Sequence, residues 1–142
     1  MKKQLSVAFA AVVLVLAISA PLAAQSWHLT ANIPFEFTVA GKVLPAGSYA
    51  IQNSNDGSVV TLQSADTGAS ALVLTQRAPE YSQDRSVATL TFNRYGDTYF
   101  LSQIWNGFTG SGRELAPGKT ERELSRTSSI QTFQVLAYLA RR

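Results

Sequence analysis

Cysteine is absent from this chain, and histidine occurs once, as His28. These two absences exclude disulfides, iron–sulfur clusters, ordinary haem and zinc ligation, and serine nucleophiles that rely on a histidine base. Small secreted folds that cannot build a core are stapled by disulfides, so an exported chain without cysteine must hold itself by packing. Charge is also scarce. Twelve Lys and Arg stand against nine Asp and Glu, and Lys2 and Lys3 lie at the extreme N-terminus, so the remainder is close to neutral. A near-neutral chain lacks the one-sided basic field that nucleic acid or anionic lipid requires. Helical periodicity is nearly missing, and there is no repeat array or low-complexity segment.

What is present begins with an address. Lys2 and Lys3, the apolar run Leu5 to Ile18 and the small-residue exit Ser19 to Ala24 read as a secretory signal peptide, with cleavage after Ala24 fitting best and Ala24-Gln25-Ser26 also permitting a cut after Ser26. The run is short for a bilayer span and no basic stop-transfer flank follows it, so a retained anchor is not expected. No cysteine lies near the cut, which excludes lipoprotein anchoring. The expected organisation is a signal peptide over 1–24 and one domain over 25–142, in the periplasm or the medium. At about 118 residues, that domain is long enough to bury a core.

Alternation of apolar and polar residues dominates after residue 28. Ile33, Phe35, Phe37 and Val39 share one face of a strand that Pro34 places at a sheet edge or at the strand's start. Leu44-Pro45-Ala46-Gly47 suits a type I turn, and Asp56-Gly57 marks a hairpin joining strands over 48–53 and 58–64. A third strand over 71–75 completes a meander, and Gln76 to Arg85 reads as an exposed loop. The clearest hairpin runs from Val87 to Trp105 around Tyr95-Gly96-Asp97-Thr98. Asn106 to Gly112 is a Gly-rich loop. Thr120-x-x-Glu123 matches a capping box for a short helix to about Arg126, as Ser111-x-x-Glu114 does equally, and Gln131 to Ala140 reads as a last strand, with a helix as the competing reading. The fold class expected is all-β: an antiparallel sandwich or small β-barrel of about seven or eight strands, with one short helix before the last.

Chemistry is thin by comparison. His28 sits where a frayed N-terminus is expected. Asn53, Asn55, Asp56 and Asp66 carry oxygens a calcium ion would accept, but their spacing matches no calcium loop and turn formation explains them. No cofactor is implied. A glycosidase-like carboxylate pair would have to be assembled by the fold from Glu36, Glu80, Asp84, Asp97, Glu114, Glu121 and Glu123. Arg113, Glu114, Lys119, Glu121, Arg122, Glu123 and Arg126 suit a docking surface, and a solvated helix face with i,i+3 and i,i+4 pairs explains them as well. Aromatics carry more weight. Tyr95, Tyr99, Trp105 and Phe108 are the candidate ligand-binding residues, a stacking platform for a sugar or an apolar ligand beside a turn and a Gly-rich loop.

Three stretches carry a resemblance: Ile33-Pro34-Phe35-Glu36-Phe37-Thr38-Val39 with Leu44-Pro45-Ala46-Gly47-Ser48-Tyr49, then Arg94 to Trp105 (RYGDTYFLSQIW), then Glu121-Arg122-Glu123-Leu124. Across most of the domain the chain resembles a family of small, signal-bearing, uncharacterised bacterial secreted proteins. That resemblance implies export and brings no activity. The Leu-Pro-Ala-Gly-Ser-Tyr stretch is similar to turns in prealbumin-like and immunoglobulin-like sandwiches and implies fold only. The last strand ends without the terminal aromatic of an outer-membrane barrel. The function expected is a non-catalytic, exported binding or envelope-associated module for a small apolar or carbohydrate ligand or an envelope partner. It makes no contact with nucleic acid and no stable membrane insertion after signal removal. The alternatives are a small-barrel carrier of a lipid-like or aromatic ligand, and a hydrolase whose carboxylates meet only in the fold. An exposed edge beside the Pro34 strand would offer a route to assembly.

Overall fold

A computed structural model describes residues 26–79, 87–107 and 111–140. Strands β1 (His28–Ile33), β2 (Phe37–Val39), β3 (Lys42–Leu44), β4 (Gly47–Asn53), β5 (Val59–Ser64), β6 (Ser70–Leu74), β7 (Gln76–Arg77), β8 (Thr89–Tyr95), β9 (Thr98–Trp105) and β10 (Gly112–Glu114) precede one helix, α1 (Lys119–Thr127). Strand β11 (Ile130–Leu139) follows it. The all-β expectation holds, and the sheet curls into a nearly closed barrel. The proposed signal peptide lies outside the described residues. Among those described, no helix is long and apolar enough to cross a membrane.

The main path of the sheet runs β3-β2-β9-β8-β11-β1-β4-β5-β6. Closure differs at the two ends. At one end β7 continues β6 past Thr75 and pairs with β10 (Arg113↔Arg77, Glu114↔Gln76), which pairs with β9 (Gly112↔Trp105), so the ladder there is unbroken around the ring. At the other end β2 joins β9 through a single parallel pair, Thr38↔Phe100, and leaves β3 facing β6 across a seam. A side-chain hydrogen bond crosses that seam, from Lys42 Nζ to the Ser70 carbonyl at 2.6 Å. On the opposite wall β11 joins the two halves of the sheet: Ile130 to Leu136 pair with β8, and Ala137 to Leu139 pair with β1.

Strand alternation supplies the core. Leu29, Ile33, Tyr49, Ile51, Val60, Leu62, Leu90, Phe92 and Ile104 point inward and are essentially inaccessible. A bulge in β9 opposite Thr91/Phe92 changes the pairing from Thr91↔Gln103 to Phe92↔Leu101. The bulged Ser102 offers its carbonyl to Leu115 N at 2.9 Å, which ties down the segment leading to α1.

Several local expectations are corrected. Pro34 splits the expected strand into β1 and β2, because it has no N–H to give a ladder, and β1 lies between β11 and β4. The sheet edges are instead β3 and β6. His28 is not frayed: it pairs with Gln52, and its carbonyl accepts Ala140 N at 3.0 Å. Gln76–Arg77 is a strand, not loop, and the rest of that expected loop from residue 80 on lies outside the described residues. Ser111 to Glu114 leads into β10, and α1 starts from Gly118 without a side-chain cap, so neither capping box forms. Glu121, expected on a solvated helix face, is buried.

Candidate functional site

Of the four aromatics singled out from sequence, the three described ones, Tyr95, Tyr99 and Trp105, do not share one face. Tyr95 and Trp105 sit at opposite ends of the β8–β9 hairpin, opposite Thr98 and Thr89 respectively, and each is 7% exposed. Tyr95 faces outward beneath α1, whereas Tyr99 turns inward; Phe108 lies outside the described residues. Tyr99 belongs to an aromatic plug in the barrel mouth at the seam end. Its ring stacks on Phe35 at 3.8 Å and meets Phe133 edge-on at 5.6 Å, while the Arg94 guanidinium covers both Tyr99 and Phe133. Phe92 closes the layer below, edge-on to Phe35 at 4.9 Å. These rings fill the mouth and satisfy one another, so the barrel interior is a packed core.

Two clefts open on the molecule. The first is an apolar crevice of about 400 Å³ at the seam, bounded by Val43, Phe100, the core residues Val73, Leu101 and Leu115, and the first turn of α1. Glu121 lies at its edge. The carboxylate accepts from Asn93 Nδ2 at 3.2 Å and from the Tyr95 hydroxyl. Burial raises its pKa above the ordinary glutamate value, and these two hydrogen bonds oppose the rise. Burial, followed by the neighbouring Glu121 charge, raises that of Tyr95.

The second cleft, about 410 Å³, opens at the closed end of the barrel and is polar. Asn53, Asn55, Asp56 and Gly57 reach it from the β4–β5 turn, Arg77 and Arg113 from the β7–β10 ladder, Asn106 and Ser111 from the loop after β9, and Trp27 from the lead into β1. Each element places its residue for a local reason. In the turn, Asp56 Oδ1 accepts from Ser54 Oγ (2.6 Å), Ser58 N (3.0 Å) and Ser58 Oγ (2.8 Å), and Gly57 takes φ +75° to complete the reversal. These bonds, from Ser54 first and then Ser58, lower the Asp56 pKa to about 2 and keep it an ionised acceptor.

Arg113 is anchored before any ligand arrives. Its Nε donates to Thr75 Oγ1 at 3.0 Å and its Nη2 to the Thr75 carbonyl at 2.9 Å, while the Thr75 hydroxyl donates to the Gly57 carbonyl at 3.0 Å. Burial draws the Arg113 pKa down; Asp56 pulls it back up, and Arg77 pushes it further down. Asn106 is 4% exposed and donates to Ser111 Oγ at 3.3 Å. Trp27 is held at the rim through its backbone N–H, which donates to Asn53 Oδ1 at 2.7 Å. Behind the cleft the Trp105 indole lies flat over Gly112, where any Cβ would collide with the ring, and its Nε1 donates to Gln103 Oε1 at 3.2 Å. Trp105, one of the sequence candidates, therefore supports the cleft from behind instead of lining it.

Carboxylates are sparse in both places. Among the described residues that line them, Asp56 is the one in the polar cleft and Glu121 the one in the apolar crevice. Among the described residues, no group of three or more His, Asp or Glu gathers as metal ligands do, and Asp66 accepts Ser48 N at 3.2 Å as a turn residue. Sequence reasoning missed Arg77 and did not join it with Arg113, which it had placed in a charged surface set, because only the pairing of two very short strands brings them together.

Fold and clefts together define a small, nearly closed β-barrel with a packed interior and a preorganised polar cleft at one end. Comparison with known protein families, curated proteins and solved structures yields no match to this chain.

Proposed function

We propose that this protein is an exported, non-catalytic binding module whose ligand site is the polar cleft at the closed end of the barrel, and that its ligand is a small, hydroxyl-rich molecule such as a saccharide. The observation that carries this reading is the cleft's donor and acceptor set. Planar amides (Asn53, Asn55, Asn106), an immobilised guanidinium (Arg113) and a carboxylate ionised at neutral pH (Asp56) match the vicinal hydroxyls of a sugar. The indole of Trp27 at the rim offers a face for stacking. Holding these groups in place beforehand lowers the entropic cost of binding, and the volume suits about one to two sugar rings. The Lys2 to Ala24 segment supports export.

Two measurements test the reading. N-terminal sequencing of protein recovered from the periplasm and the medium is expected to begin at Gln25. Titration of the purified protein with mono- and oligosaccharides, followed by NMR amide shifts, is expected to move resonances of Asn53 to Gly57 and Gly112 to Glu114. Saturable shifts confined to other regions would refute it.

The apolar crevice supports a second reading, a carrier of one lipid-like or aromatic molecule, because about 400 Å³ walled by Val43, Val73, Phe100 and Leu115 suits such a guest. Native mass spectrometry of protein purified from its own host discriminates: a co-purifying apolar mass favours the carrier.

A further inference from the structure

Strand β6 leaves one edge bare. Ser64 N donates to the Ala69 carbonyl and Thr75 N to the Ser58 carbonyl, each at 2.7 Å, which fixes the phase of the β5–β6 ladder. Bonded pairs alternate along an antiparallel ladder, so Ala71 and Val73 bond toward β5, whereas Ser70, Leu72 and Leu74 turn their N–H and C=O groups toward the seam. The hydrogen bond from Lys42 to the Ser70 carbonyl agrees with that phase. Farther along, the same edge is taken: Ala78 N donates to the Gly112 carbonyl at 2.9 Å in the β7–β10 link. Among the described residues, no strand takes it at Leu72 and Leu74, whose side chains are 63% and 73% exposed. Exposed edges are ordinarily protected by a charge, a proline or a bulge within the strand. Ser70-Ala71-Leu72-Val73-Leu74 has none of these, and its register with β5 is regular.

The apolar crevice adjoins this edge. Val73 lines it from β6 and Val43 from β3, with Phe100, Leu101 and Leu115 completing the wall. A strand added to β6 would send alternate side chains into the crevice beside Val73 and the others outward beside Leu72 and Leu74. The gap has the width of one strand, because a lysine side chain bridges it and so holds β3 within about two strand spacings of β6. A second copy entering by its own β6 would carry its β5 onto β3. Charge narrows the choice further. Lys119 lines the crevice and Lys42 spans the gap, whereas the carboxylate of Glu121 is engaged by Asn93 and Tyr95. A segment that displaces Lys42 from Ser70 therefore meets two ammonium groups.

We propose that the seam is a strand-acceptor slot for a partner protein. The segment it takes is extended, apolar at alternate positions, and bears an aspartate or glutamate. Its backbone pairs with Ser70, Leu72 and Leu74, its inward side chains fill the crevice, and its carboxylate meets Lys42 and Lys119. Main-chain bonds supply the affinity of such strand addition, and the pocket for alternate side chains supplies its specificity. The slot is independent of the polar cleft, which lies at the other end of the barrel.

The test selects a phage-displayed library of random heptapeptides on the purified protein, then follows the best synthetic peptide by fluorescence titration and hydrogen exchange. Enrichment of alternating apolar residues with an acidic one is expected. The bound peptide is expected to slow exchange of the Leu72 and Leu74 amides about tenfold or more. Converting its acidic residue to the amide is expected to weaken binding several-fold, with the difference shrinking at high salt. L72P removes an N–H that faces the seam and none that bonds to β5, a position where an edge strand tolerates proline. It is expected to weaken peptide binding about tenfold or more. Should L72P fail to fold, the exchange readout decides alone. Selected peptides without the alternation, unchanged exchange at Leu72 and Leu74, equal binding by the amide peptide, or equal binding by folded L72P overturns the inference. Protection of those two amides on raising the protein concentration alone makes a second copy the occupant and overturns it too. Uptake of decanoate with no peptide selected overturns it and leaves the carrier reading of the crevice standing.

Discussion

Glu121 is the buried residue of α1, where a helix lying on a sheet ordinarily presents leucine. The helix docks through a carboxylate and two hydrogen bonds, so its hold on the barrel depends on pH. Because burial raises the folded-state pKa above that of the unfolded chain, the stability this group contributes is complete at acid pH, below the unfolded value. It is lost as pH rises through the folded value. E121Q keeps the acceptor oxygen without the charge and is expected to flatten that slope; E121A strands Asn93 and the Tyr95 hydroxyl and is expected to cost about 1–3 kcal/mol. Chemical denaturation at several pH values reads both. Asp56 runs the opposite way: its lowered value means the turn is favoured above the ordinary aspartate pKa and weakened as pH falls toward about 2, a midpoint that NMR titration of its carboxyl carbon should find. Gly112 is a steric case, since a methyl there enters the Trp105 ring; G112A is expected to lose about 1–3 kcal/mol and to shift tryptophan emission.

At the scale of elements, the β2–β3 hairpin shows which contacts matter. Phe37 is fully buried, edge-on to Tyr49 at 5.2 Å and to Phe92 at 5.5 Å, whereas the Lys42 contact across the seam is exposed. F37A is therefore expected to cost about 3–5 kcal/mol and K42A less than about 0.5 kcal/mol in the same thermal melts. The same contrast explains what could be read from sequence. The β4–β5 and β8–β9 hairpins were legible because Asp56-Gly57 and Gly96-Asp97 encode their turns between long alternating runs, and the last strand was legible from the alternation of Phe133, Val135 and Ala137 with Gln134, Leu136 and Tyr138, although a run of that length also admits a helix. Strands β7 and β10 were not, because two and three residues carry no period. Arg77 and Arg113 could not be joined without them. The helix was located although its cap was misread, since Gly118 opens it where Thr120 matched the pattern.

For the whole molecule, β11 joins the two halves of the sheet on one wall and the β7–β10 link joins them on the other. Removing residues 137–142 deletes the β1–β11 pairing, from Leu29↔Leu139 to Ala31↔Ala137, and is expected to abolish cooperative unfolding as followed by circular dichroism. Fold class was legible because alternation and turn chemistry are local properties. The polar cleft was not, because it draws on segments scattered from Trp27 to Arg113 that meet only when the ring closes.

That ring is fastened at one end and only buttoned at the other, by Lys42 and Ser70. The barrel should breathe unevenly. Amide hydrogens of β3 and of the β6 edge will exchange through frequent local opening, while those of β1, β4 and β5 wait for rarer, larger events. Water, proteases and any foreign strand then share one point of entry, far from the cleft, and the binding end stays rigid while the seam moves.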